Sequence, residues 1–133
     1  MGSYRGDEMT LNSRSLKALN GVHPDLVAVV HKADEITELE FIITEGVRSV
    51  ERQKMLVAKG LSQTMRSRHL TGHAIDFAPI IGGEVTWKTP AFLPIIAAFK
   101  TAGFALHTQI ESGGDWHSFQ DYPHIQLPWK DYP

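Results

Sequence analysis

Apolar positions along this chain follow two periods. Leu16 and Leu19, then Leu26, Val27, Val30 and Ala33, recur at the spacing of helices with one buried stripe. Asn12 or Ser13 suits the cap of the first helix, which stops before Gly21, and Pro24 suits the first turn of the second. Glu40-Phe-Ile-Ile-Thr44 is short and β-branched, which predicts a strand; Glu45-Gly-Val-Arg48 leads from it into a helix from about Val50 to Lys59, closed by Gly60. Beyond the polar stretch 61–68, Ala74 to Ala78 reads as a strand that turns at Gly82-Gly83 into a partner over Glu84 to Trp87. Thr89-Pro90 opens a longer helix running to Ala102 with Gly103 as its stop, and Pro94 weakens its first turn enough to allow a start nearer Leu93. Two further strands, Phe104 to His107 and His124 to Leu127, flank a Gly113-Gly114 loop. Helices first, then strands around one long helix, predict a single α+β domain with a mostly antiparallel sheet and helices packed on it.

Length and composition narrow the chemistry. A chain of 133 residues fits one domain of the commonest size. Residues 1–10 are polar and predict a disordered tail, leaving 11–133 as the domain. The tail has no apolar segment of the kind a secretory signal needs, so the chain is expected in the cytoplasm where it is made. Its longest apolar run, Ala91 to Phe99, is far below the ~20 residues that span a bilayer. With 13 Lys+Arg against 15 Asp+Glu there is no basic face for nucleic acid. There is no cysteine, so disulfides, thiolate nucleophiles and Cys-rich zinc sites are excluded. Any metal must be held by carboxylates and some of the seven histidines. A small monomer is the expected state.

Two polar clusters sit on predicted strands. In Ser67-Arg-His-Leu-Thr-Gly-His-Ala-Ile-Asp76, period-two alternation puts Ala74, Asp76 and Ala78 on one face and Ile75 and Phe77 on the other. An unpaired carboxylate inside a sheet costs several kcal/mol, so Asp76 needs a cation, and Ala74 leaves room for one. A loop cap, or a pair with Arg66 or Arg68, accounts for Asp76 equally well. In Asp121-Tyr-Pro-His-Ile-Gln126, His124 and Gln126 share one face, with Ile125 and Leu127 opposite. Two histidines and one aspartate from separate segments make the ligand set of a catalytic zinc site with one position left open. Asp121, three residues before His124 across a proline, suits a general base beside such a metal or a simple turn former.

Ser67-x-His69-x-x-Gly72-x-Ala74-x-Asp76, joined to Asp121-x-x-His124, resembles the zinc D-Ala-D-Ala peptidase superfamily, and within it most closely the phage endolysins of the L-alanyl-D-glutamate peptidase type. The resemblance extends to 21–30, 44–54, Gly113-Gly-Asp-Trp116 and Phe119, covering roughly Leu11 to Leu127. It implies the fold shared by D-Ala-D-Ala peptidases and Hedgehog domains, and hydrolysis of the L-Ala-D-Glu bond in the stem peptide of bacterial peptidoglycan. It also implies action after the host membrane is permeabilised. Residue by residue, it implies His69, Asp76 and His124 as Zn2+ ligands, Asp121 as the general base, and Arg48 on the scissile carbonyl and its oxyanion. Ser67 and Trp116 join Arg48 as substrate contacts on the same grounds.

Alternatives remain open at this level. Arg48 by itself suits a surface pair with Glu45 or Glu51. His117, where relatives often carry Lys, and His73 are competing histidines, but the motif spacing favours His124 and alternation puts His73 on the Ile75 face. His23, His31 and His107 fall in packing elements. The same ligands and base would serve a D-Ala-D-Ala carboxypeptidase or dipeptidase. A zinc-containing wall-binding module without turnover would need the ligands but neither Asp121 nor Arg48.

Overall fold

The computed structural model describes residues 11–62 and 64–133, so the predicted tail lies outside the described residues. Two helices lead the chain, α1 over Ser13–Ala18 and α2 over Pro24–Ile36. Asn12 caps α1 by accepting the Ser15 N–H at 2.8 Å, and His23 caps α2 through Nδ1, which accepts the Asp25 N–H at 3.1 Å. Strand β1, Phe41–Glu45, and helix α3, Val50–Ala58, follow as predicted to within one residue at each start.

Strand β2, Ala74–Ile81, outruns its predicted end and turns back as the short strand β3, Glu84–Val85. After helix α4, Thr89–Ala105, come strands β4, Glu111–Ser112, and β5, His124–Gln126. The strand order is β1-β2-β5-β4, with every pairing antiparallel and β3 continuing from β2. The α+β architecture with an antiparallel sheet is therefore present.

The predicted strand from Phe104 to His107 is absent, because α4 runs on through Gly103 to Ala105. Gly103 is not a stop. A Cβ there would press on the Thr108 carbonyl oxygen, while the Thr108 N–H donates to the Gly103 carbonyl at 2.8 Å. The glycine therefore serves a close backbone approach as the chain leaves the helix, a demand that cannot be told from a stop signal by composition. The helix also begins at Thr89 despite Pro94. Proline near a helix start removes a single backbone bond, and burial of Phe92, Ile95, Ile96, Phe99 and Ala102 along this helix outweighs that loss.

Period-two alternation splits the sheet into two chemistries. Ile75 and Phe77 on β2, with Ile125 on β5 and Phe41 and Ile43 on β1, join a core completed by Leu26, Val29 and Val30 of α2 and the apolar stripe of α4. Phe77 is its hub, with ring centroids 5.9 Å from Phe41, 5.3 Å from Phe92 and 5.2 Å from Phe99. The edge strand β1 is bound to α1 by Ser15, a fully buried residue whose hydroxyl accepts the Ile43 N–H at 2.9 Å. The opposite face of β2 and β5 carries Asp76, His124 and Gln126. A firm apolar layer on one side thus holds three polar side chains in fixed register on the other.

Phe77→Ala should lower unfolding stability by about 3–5 kcal/mol, the usual cost of emptying an aromatic site in a packed core. Denaturant titration of the metal-free protein, followed by circular dichroism, measures it.

Candidate metal centre and active site

Asp76 lies within β2, opposite Glu45 on β1 and His124 on β5. Residues paired in this way across antiparallel strands project to one face. Two acids and a histidine therefore meet on the side away from the core. His69 comes from a separate segment, the 3-10 turn Arg68–Thr71, whose cap is Ser67; the Ser67 hydroxyl accepts the His69 N–H at 3.2 Å.

Each histidine ring is held from behind. His69 Nδ1 donates to the Gly46 carbonyl at 2.8 Å, which leaves Nε2 3.2 Å from Asp76 Oδ1. A Cβ on Gly46 would collide with the Ala18 carbonyl oxygen, so glycine is what lets this turn close against α1 and present its carbonyl to His69. His124 is mirrored: Nδ1 lies 3.5 Å from Asp76 Oδ1 and Nε2 lies 2.8 Å from Gln126 Oε1. The two rings stand 5.1 Å apart at 77°.

Three ligand atoms from His69, Asp76 and His124 thus lie within 4.8 Å of one another, and both histidines are buried. With its other nitrogen committed to a carbonyl oxygen, neutral His69 turns a lone pair toward a carboxylate that offers only lone pairs. Such an arrangement is stable only around positive charge. Burial alone would raise the Asp76 carboxyl, yet the hydrogen bonds and charges of His124 and His69 hold it well below the usual carboxylate range. Burial opposes charge on His124 too, and its bond and attraction to Asp76 overcome this and raise it. Two imidazoles and one carboxylate are also the donor set that suits a first-row divalent metal over the all-oxygen shells of calcium or magnesium. These residues can hold such an ion.

Around this centre stand the remaining residues singled out from sequence. Asp121 begins the turn into β5: its N–H donates to the Gly113 carbonyl at 2.9 Å and its own carbonyl accepts the His124 N–H at 3.1 Å. Burial and the negative charge of Asp76 raise its carboxyl, with His124, His69 and Arg48 offsetting part of the rise. The Trp116 ring lies 5.1 Å from that of His124.

Arg48 satisfies both of its sequence readings at once. Its Nε and Nη2 grip the Glu45 carboxylate, while Nη2 also lies 3.8 Å from Asp76 Oδ2. Burial disfavours this cation, and the Glu45 bonds and charge more than restore it, raising its pKa. Glu45 is affected in the opposite sense: burial would raise it, and Arg48 brings it below its ordinary value.

His117 is exposed, and His73 packs its ring against His23 and Tyr132, at 5.3 and 6.1 Å. Neither joins the cluster.

Sequence reasoning missed Gln53. Fully buried, it accepts from Arg48 Nη1 at 2.7 Å and donates through Nε2 to Ser62 Oγ at 2.8 Å and to the Thr64 carbonyl, so it ties Arg48 to the segment that leads to Ser67. A fully buried glutamine in a helix of mostly exposed residues was the only available signal, and burial is not visible in sequence.

The shifts at Glu45 and Asp76 set a pH dependence for the metal-free protein. Both carboxyls have folded pKa values below their unfolded ones, so their contribution is full above about pH 4–5 and is lost as pH falls through the folded values. Stability should therefore drop on acidification below about pH 5, and Glu45→Gln should flatten part of that slope. Urea midpoints taken from neutral pH downward would reveal the difference.

A family model described as phage L-alanyl-D-glutamate peptidase matches residues 8–131. The L-alanyl-D-glutamate peptidase of Escherichia phage T5 is 38% identical over 112 residues, which is 81% of this chain and 82% of that protein. The peptidoglycan L-alanyl-D-glutamate endopeptidase CwlK of Bacillus subtilis is 32% identical over 108 residues, 67% of this chain and 61% of that one. Among solved structures, the L-Ala D-Glu endopeptidase ChiX of Serratia marcescens superposes with a TM-score of 0.89 at 42% identity, covering 95% of this chain and 96% of its own. A likeness that spans the whole sheet, the His69–Asp76–His124 cluster and the loops around it leaves one conclusion: this chain belongs to the phage L-alanyl-D-glutamate peptidase family.

Proposed function

We propose that this protein is a zinc-dependent endopeptidase that hydrolyses the L-Ala-D-Glu bond in the stem peptide of bacterial peptidoglycan. The observation that carries this reading is the convergence of His69, Asp76 and His124 within 4.8 Å, beside a carboxyl whose proton affinity is raised and a held guanidinium. In this reading those three residues hold Zn2+. Bound there, zinc supplies a Lewis acid that polarises the scissile carbonyl and acidifies water.

The chain's own groups account for the proton traffic. Asp121, raised by burial and by Asp76, accepts a proton from the attacking water and returns it to the leaving amine of D-Glu. Arg48 faces the charge that develops on the carbonyl oxygen. Its bonds to Glu45 and Gln53 fix the guanidinium beforehand, so little reorganisation is needed when that charge appears. Trp116 lines the cleft beside His124, and the Ser67 hydroxyl, having accepted from His69, keeps its own hydrogen for a substrate oxygen.

A structural zinc site requires neither a raised carboxyl nor a fixed guanidinium, and this favours turnover over a binding module. Among the described residues no helix is long and apolar enough to cross a membrane, and the same reading has the enzyme reach the wall from the host cytoplasm after the membrane is permeabilised.

Asp121→Ala should keep the fold and one equivalent of zinc while losing about 10²–10⁴-fold in hydrolysis, whereas His69→Ala and His124→Ala should lose zinc as well. Atomic absorption on the purified variants separates the two classes. Digestion of purified peptidoglycan should expose new amino-terminal D-Glu. Release of terminal D-Ala instead would turn the assignment to a carboxypeptidase.

A further inference from the structure

The role of His124 depends on which of its nitrogens carries the proton, and two residues outside the metal cluster bear on that choice. Only Nδ1 faces Asp76, at 3.5 Å, so only a ring protonated on Nε2 presents a lone pair to the cluster. A neutral imidazole has no strong intrinsic preference; without a metal the Asp76 carboxylate competes for a proton on Nδ1, and once a cation takes that carboxylate the partner on the far nitrogen decides. That partner is Gln126 Oε1, 2.8 Å away and buried with it.

An amide can turn either end toward a histidine. Turned the other way, the Gln126 NH2 would donate to Nε2, drive the proton onto Nδ1 and aim an N–H at the metal position. Glu111 removes this freedom. Its Oε1 lies 3.0 Å from Gln126 Nε2, and a carboxylate only accepts, so the NH2 end must face Glu111 and the carbonyl end must face His124. Strand register keeps the three residues together, because β5 pairs Gln126 with both Ala74 on β2 and Glu111 on β4.

We propose that Glu111 and Gln126 are positioning residues that together hold His124 as the Nε2–H tautomer when the metal takes Asp76, with Nδ1 free for the metal. The chain of reasoning is directional: an acceptor-only carboxylate orients an amide, the amide oxygen orients a ring proton, and the ring proton leaves one lone pair pointing inward. The inference rests on the metal reading of His124 given above.

Gln126→Met keeps approximate volume and removes the acceptor. In the zinc-loaded protein, long-range 1H–15N correlation should show His124 as Nε2–H, and that proton, bonded to the buried Gln126 Oε1, should exchange slowly with water in the wild type. In the Met variant at saturating zinc it loses its acceptor and should exchange faster, and the zinc dissociation constant, read by competition with a chromophoric chelator, should rise about 10–100-fold. The exchanged pair, Glu111→Gln combined with Gln126→Glu, still offers His124 an acceptor held by a donor, and should restore both readouts. Loss of packing alone would not be repaired by that exchange. A zinc-loaded wild type with His124 as Nδ1–H, a folded Gln126→Met protein with unchanged Nε2–H exchange and zinc affinity, or an exchanged pair that restores neither would each overturn the proposal. A wild-type chain that takes up no zinc would overturn the metal reading instead.

Discussion

Asp76 is a carboxylate carried by an inner strand, and the polar side of this protein is organised around its need for positive charge. A lone ion in that position would cost several kcal/mol. Here the charge is answered from three directions: His69 from the 3-10 turn, His124 from the neighbouring strand, and Arg48 from the segment after β1. Those three elements are distant in sequence and meet only because the sheet brings β1 and β5 to either side of β2. The same attraction makes the cluster a place that could hold a divalent ion.

Neighbouring carboxyls are driven apart in acidity by this arrangement. Asp76 sits between two imidazoles and is held ionised, while Asp121, close to that fixed negative charge and partly desolvated, is raised. In the proposed mechanism a ligand and a base are thus differentiated by environment, although both are aspartates. Arg48 is shared between Glu45 and the cluster. The pairing with Glu45 does not remove it from the site; it holds the guanidinium in place beside Asp76.

Rigidity behind the site comes from alternation on the sheet. Ile75 and Phe77 on either side of Asp76 enter the aromatic core with Phe41, Phe92 and Phe99, so a shift of register would put Asp76 among apolar rings. Packing therefore specifies the polar geometry on the far face. Gly46 and Ser67 complete it locally, the first by giving His69 a carbonyl and the second by capping the turn that carries it.

Much of this was legible in the chain itself. Local signals suffice for Asn12 as a cap, Pro24 at a helix start, the β-branched strand at 41–45 and the alternation around Asp76, since each reflects preferences that act within a few residues. The motif around His69, Asp76, Asp121 and His124 was visible because residue spacing is a sequence property, and the fold brings His69, Asp76 and His124 together. Phe104 to His107 was misread as a strand, because Gly103 answers to Thr108 and not to its own helix. Gln53, Glu45 and the Glu111–Gln126 pair gained their places only from tertiary structure. Residue types, their order and their faces were determined locally by sequence. Which polar atoms share one partner, which nitrogen of each histidine is free and how each carboxyl titrates depend on distances between segments tens of residues apart, and only the folded sheet decides those.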